Sequence, residues 1–249
     1  MSEANHISST PFGSGKFATT HWSVVLAAGD TSASQHEQAL SSLCETYWFP
    51  LYAYLRRRGY NAHQAEDYTQ GFFAQMLDKH YLRKVGPKPG KFRSFLLAAL
   101  RHYVADEHNH ARAIKRGGNR KILSLDFNTA EHKYALGLTY DLSPDKVFER
   151  SWALAVLGKT MDRLKAELAG RDKQKHFDVL RIYLGGQAAK VPYHDVADKL
   201  KMTEGAVKVA IHRLRRRYRE ILREEIAQTV AGEDQIDEEI KDLFAVLTC

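Results

Sequence analysis

Apolar residues recur at helical spacing along most of the chain. Leu40, Leu43, Cys44, Tyr47, Trp48, Leu51, Tyr52 and Leu55 follow the i, i+3, i+4, i+7 rule that lines one helix face. The stripe ends in Arg56-Arg57-Arg58-Gly59, cations in the last turn and then a glycine stop. A second helix begins at Asn61, where Gln64 three residues on makes a capping-box-like start. Ala65, Phe72, Phe73, Met76 and Leu77 form its apolar side. Gly86-Pro87-Lys88-Pro89-Gly90 is a loop, because two prolines and two glycines cannot continue a helix. A third helix starts at Phe92 and runs to about Ala113, with Phe95, Leu96, Ala99, Leu100, Tyr103 and Val104 at helical spacing. Residues 114–142 mix polar residues with scattered Leu and Tyr and read as a linker. Ser143-Pro144 restarts a helix as N-cap and first-turn proline, with Val147, Leu154, Leu157, Met161, Leu164 and Leu168 on one face. Phe177, Leu180 and Leu184 mark a short helix ended by Gly185-Gly186. No segment alternates as a strand does. The expected fold is therefore all-α, two helical domains joined by a linker.

The sharpest local pattern lies at 192–218. Pro192 opens a short helix with Tyr193, Val196, Ala197 and Leu200 facing inward. Lys201-Met202-Thr203 is a three-residue turn, and Thr203 can cap the next helix. That helix turns Val207, Ala210, Ile211, Leu214, Tyr218 and Leu222 inward. Two helices about a tight turn, the second one basic, is the pattern of a helix-turn-helix. Such a motif lays its second helix in the major groove and leads with its N-terminal residues. Thr203, Glu204 and Lys208 then reach base edges, glutamate accepting from cytosine and lysine donating to guanine. His212 lies on the same exposed side, and Arg213 with the Arg215, Arg216 and Arg217 cluster sets register on phosphates. The bland alternative is a helical hairpin with a solvated basic face.

Charge sharpens this picture. The chain has 249 residues and net charge +7, unevenly spread. Residues 83–121 carry +9 and residues 201–223 carry +6, whereas residues 224–249 carry −7. Two basic blocks and an acidic tail suggest two contacts with a polyanion. The first block interleaves cations with aromatics: Lys88, Lys91, Phe92, Arg93, Phe95, Arg101, His102, Tyr103 and, further on, Arg112. Cations beside flat rings suit single-stranded or melted DNA. Phe92, Phe95 and Tyr103 share the core stripe, so the loop 84–91 and the polar face are the better candidates. The tail is amphipathic through Ile226, Val230, Ile236, Ile240, Leu243, Phe244 and Leu247. It is expected to pack back as a structural helix; the alternative is that it covers the basic helix-turn-helix.

Composition excludes several classes. No apolar run approaches the roughly 20 residues that cross a bilayer, and Met1–Lys16 lacks the apolar core of a secretory signal. Two cysteines, Cys44 and Cys249, make neither a disulfide framework nor a Cys-based zinc site. A cytoplasmic location without membrane contact is expected. His102, Asp106, His108 and His110 are close in sequence and of zinc-binding type. At helical spacing His108 points away from the other three, so no metal is expected. No Gly-rich phosphate loop or nucleophile triad appears. No cofactor and no enzymatic activity are expected.

Three of these segments together resemble the extracytoplasmic-function sigma factors of bacterial RNA polymerase. They are Ala65-Glu66-Asp67-Tyr68-Thr69-Gln70-Gly71-Phe72-Phe73, Phe92-Arg93-Ser94-Phe95-Leu96-Leu97-Ala98-Ala99-Leu100 and Val207-Lys208-Val209-Ala210-Ile211-His212-Arg213-Leu214-Arg215. The likeness covers about residues 40–113 and 144–222, in the family's order. Thr19-Thr20-His21-Trp22-Ser23-Val24-Val25-Leu26 and the C-terminal extension resemble a sub-branch of that family. The resemblance implies an N-terminal segment 1–35, partly disordered, and a region 2-like domain 36–113. A linker 114–142, a region 4-like domain 143–223 and an acidic extension 224–249 follow. Glu66, Asp67, Thr69 and Gln70 would dock on the β′ clamp helices of core polymerase. Lys88, Lys91, Arg93, Arg101, His102 and Arg112 would serve recognition and melting of the −10 element. Thr203, Glu204, Lys208, His212, Arg213, Arg215 and Arg216 would read the −35 element. The linker would thread toward the RNA exit channel. Core RNA polymerase and promoter DNA are the implied partners, with room for an anti-sigma or other regulatory partner. The competing expectation is a stand-alone helix-turn-helix regulator that binds duplex DNA without polymerase.

Overall fold

The computed structural model describes residues 33–76, 91–111, 126–137, 142–169, 174–185, 191–230 and 232–248. The first 32 residues, the loop through Lys88 and the segment around Arg112 lie outside these. The described chain is all-α, and no described helix is long and apolar enough to cross a membrane. In chain order the helices are α1 (Ala33–Arg57), α2 (Ala62–Met76), α3 (Phe92–Ala111), α4 (Phe127–Gly137), α5 (Pro144–Ala169), α6 (Gln174–Leu180), α7 (Tyr193–Leu200), α8 (Glu204–Ala227) and α9 (Ile236–Thr248). A 3₁₀ turn, Arg181–Leu184, extends α6.

Helix ends follow the local chemistry. After α1 the Gly59 N–H donates to the Arg56 carbonyl (3.1 Å) and the Tyr60 N–H to the Leu55 carbonyl (3.2 Å). This is a Schellman closure, and it puts Gly59 at φ +94°, where a Cβ would be strained. Helix α2 starts with a reciprocal capping box. The Asn61 N–H donates to Gln64 Oε1 (3.1 Å), and the Gln64 N–H donates to Asn61 Oδ1 (2.9 Å).

Two apolar cores form among the described residues. The first gathers Tyr47, Leu51 and Tyr52 of α1, Phe72, Phe73 and Met76 of α2, and Phe92, Leu96 and Leu100 of α3. Phe148, Trp152 and Val156 of α5, Leu222 and Ile226 of α8, Val230, and Ile236 and Leu243 of the tail join it. Trp152 is fully buried and donates its indole N–H to Tyr47 Oη (3.0 Å). The second core holds Leu164 of α5 with Phe177, Leu180, Tyr183, Val196, Ala197, Val207, Ile211, Leu214 and Ile221. Helices α5 and α8 each contribute to both cores. The cores therefore do not divide at residues 143 and 223. A 26-residue helix is about 39 Å long, more than one small core can cover.

The segment read as a linker contains α4, which docks on α1. Asp126 caps it by accepting from the Thr129 N–H (3.0 Å). Ala130 is fully buried, and the Phe127 ring lies edge-on to Trp48 (centroids 5.5 Å apart). Glu131 accepts from Arg56 Nη2 (2.6 Å) and Nε (2.9 Å) and from the Tyr52 hydroxyl. The Arg56 guanidinium holds the Glu131 carboxyl below its usual range.

Candidate nucleic-acid interface

Helices α7 and α8 meet across Lys201-Met202-Thr203. Helix α7 closes as α1 does, with the Met202 N–H donating to the Ala197 carbonyl (2.9 Å) and the Lys201 N–H to Asp198 (3.3 Å). Here the left-handed position is Lys201 (φ 53°), not glycine. Thr203 Oγ1 then accepts from the Ala206 N–H (3.2 Å) and starts α8. Val196, Ala197, Val207, Ile211 and Leu214 are buried between the two helices and α6.

The opposite side of α8 is open. Thr203, Glu204, Lys208, His212, Arg213, Arg215 and Arg216 are all exposed. Arg215 donates through Nε to the Tyr183 carbonyl (3.0 Å), and Arg216 pairs with Glu220 (2.9 Å). Arg213 has no carboxylate within ion-pair distance among the described residues. Tyr193 is exposed, not inward-facing, and its ring stacks on Tyr183 (5.6 Å, 27°). Lys208 Nζ sits 5.4 Å from the Tyr193 centroid, a cation–π contact that restrains the lysine at the helix's leading end.

Arg217 departs from the expected cation row. It forks onto Glu167 of α5 (both contacts 2.8 Å) and reaches Glu220 and Glu224. Glu167 raises its pKa. Arg217 belongs with Arg163 and Lys159 in the ion pairs that tie α8 to α5.

Of the first basic block residues 91–111 are described, and there Lys91 and Arg93 turn inward. Arg93 is buried. Its Nε donates to Glu239 Oε1 (2.6 Å), its Nη2 to Asp242 (2.7 Å) and its Nη1 to Glu149 (3.4 Å). Its guanidinium lies 4.6 Å from the Trp152 ring centroid. Lys91 meets Asp242 (2.6 Å), Glu239 (3.0 Å) and Glu238 (3.6 Å). Burial alone would lower both cations, but the carboxylates of Glu239 and Asp242 outweigh it and raise them. The tail thus lays Glu238, Glu239 and Asp242 on the start of α3, while Asp237 pairs with Arg223 near the far end of α8 and not with its leading basic row, and Lys91 and Arg93 leave the candidate DNA surface. Arg101 and His102 remain exposed on α3. Phe92 and Tyr103 are buried and Phe95 is half-buried, so the rings serve the core.

The candidate docking face on α2 splits. Glu66 and Gln70 share one side, 3.5 Å apart, and Asp67 is exposed beside His63 (2.9 Å). Thr69 is fully buried and donates its hydroxyl to the Ala65 carbonyl (2.6 Å), so it is not on that face. Its spacing to Ala65, Phe72, Phe73 and Met76 carried this signal in the sequence.

Among the described residues no three His, Cys, Asp or Glu side chains converge as a metal site. His108 Nδ1 lies 3.0 Å from the Val104 carbonyl and its ring stacks on Tyr60. Comparison with known proteins returns no matching family model, no similar curated protein and no similar solved structure.

Proposed function

We propose that the chain is a transcription initiation factor of the extracytoplasmic-function type, itself non-enzymatic, that gives core RNA polymerase promoter specificity. The observation that carries this is the open row of Thr203, Glu204, Lys208, His212 and Arg213 at the leading end of a capped helix behind a three-residue turn. In this reading α7 and α8 act as a helix-turn-helix on the −35 element. Thr203, Glu204 and Lys208 meet base edges, and His212, Arg213, Arg215 and Arg216 meet phosphates. Arg101 and His102 serve the −10 region, and Lys88 and Arg112, outside the described residues, are assigned to it from the sequence alone. Glu66, Asp67 and Gln70 form the docking face for the β′ clamp helices.

A pull-down of core polymerase with the purified chain tests the docking face. Stoichiometric binding by the wild type, lost in Glu66→Lys/Asp67→Lys, is expected. A folded wild type that ignores polymerase yet binds duplex DNA tightly alone would replace this reading by the stand-alone regulator. The withdrawal of Lys91 and Arg93 into the protein favours that second reading, because it shrinks the surface a melted strand would meet.

Replacing Lys208 by alanine is expected to weaken binding to duplexes selected from a random pool by about 1–3 kcal/mol and to relax preference at one base position. A loss that is equal on all sequences would make Lys208 a phosphate contact.

A further inference from the structure

A cavity of about 250 Å³ opens between the end of α1, the turn at Gly59 and α3. Leu100 and Val104 line its apolar side. Arg58 stands one helical turn beyond Tyr54, its N–H donating to the Tyr54 carbonyl (2.9 Å), and its Nη1 donates to Tyr54 Oη (3.2 Å). Arg101 approaches the same hydroxyl from α3, donating through Nε (3.0 Å). Both guanidiniums lie near the Tyr54 ring, at 5.9 and 5.7 Å from its centroid. Two cations converge on one phenol oxygen; the Tyr54 hydroxyl raises the Arg58 pKa, against the opposing charge of Arg101.

The local charge is only half answered. Asp145 pairs with Arg101. Among the described residues no carboxylate lies within ion-pair distance of Arg58. Arg58 is exposed, and its Nε and Nη2 donors make no hydrogen bond among those residues. A guanidinium fork of this kind matches a phosphate or carboxylate. Beside it Tyr60 and His108 form a stacked pair (5.9 Å, 29°), with His108 exposed. The volume falls below the 300–1,000 Å³ or so of a drug-sized site, which suits a single small unit.

From this geometry we infer a binding site for one nucleotide, its phosphate on Arg58 and Arg101 and its base beside Tyr60 and His108. As a unit of a single DNA strand the ligand rests on the functional reading above. As a free nucleotide it does not. Arg58 adds a contact that lies outside both basic blocks of the sequence.

The test uses the full chain and fluorescence anisotropy with a labelled oligo-dT strand, competed by unlabelled strand, by dTMP and by inorganic phosphate. Arg58→Gln is compared with Lys165→Gln, which removes an equal charge from an exposed position on α5. Arg58→Gln is expected to weaken strand binding about tenfold, with an unchanged circular dichroism spectrum, and Lys165→Gln much less. Displacement by dTMP would make the free nucleotide a ligand; displacement only by strand would make it part of DNA. Equal loss in the two variants, or none, would overturn the site. The polymerase pull-down reads a different face. A chain that captures strand but not polymerase keeps this site and loses the sigma reading, and the reverse result loses the site alone.

Discussion

Arg93→Ala is expected to destabilise the chain by about 3 kcal/mol in chemical denaturation followed by circular dichroism. The substitution leaves the Glu239 carboxylate, 1% exposed, without its fork partner. It also removes the cation from the Trp152 face. The loss sits at the lower end for breaking a buried pair, because Lys91 still reaches Glu239 at 3.0 Å. Replacing both partners, as Arg93→Met with Glu239→Met, is expected to cost much less, since no buried charge is stranded. A loss of DNA affinity with unchanged stability in Arg93→Ala would show instead that the side chain works at a nucleic-acid surface.

Deleting residues 229–249 is expected to prevent folding, not to release a hidden DNA surface. The deletion takes Val230, Ile236 and Leu243 out of the first core. At about 1.5–3 kcal/mol for each side chain the loss is comparable to the whole stability of an ordinary domain, about 5–15 kcal/mol. It also removes the Thr229 carbonyl that accepts from the Phe92 N–H (2.9 Å) at the start of α3. Lys91 and Arg93 lose Glu239 and Asp242 as well. Size-exclusion chromatography and circular dichroism read the result. A folded, monomeric truncation that binds duplex more tightly would make the tail a cover.

The elements and their stops were legible because they rest on local rules. Gly59 closes α1, Asn61 and Gln64 open α2, and Thr203 opens α8, each through contacts within a few residues. Helix α4 has local signals too, within a segment whose polar composition reads as linker. Asp126 precedes Thr129 by three residues, and Phe127, Ala130 and Tyr134 fall at i, i+3 and i+7. Thr69 is another such case, its polarity outweighing its position on the apolar stripe. Arg93 is different in kind. A charged residue reads as surface until its partner is known, and Glu239 lies 146 positions away. The opposite signs of residues 83–121 and 224–249 hinted that they meet, but charge alone does not choose between two basic blocks. The division into cores was equally hidden. Apolar spacing shows which side of α5 and α8 is buried, but not which neighbour buries each turn. Of the two exposed guanidiniums over Tyr54, one comes from the turn after α1 and the other from α3, and neither segment announces the other.

Helix α8 can be viewed as a shaft keyed at both ends. One end is seated by Val207, Ile211 and Leu214, the other by Leu222 and Ile226. Each residue advances the helix by about 100°, so the azimuth of Lys208 and Arg213 is indexed by the seating of Leu222 and Ile226 several turns away. The direction in which the basic row looks is thus set jointly by the residues beneath it and by a second core several turns away.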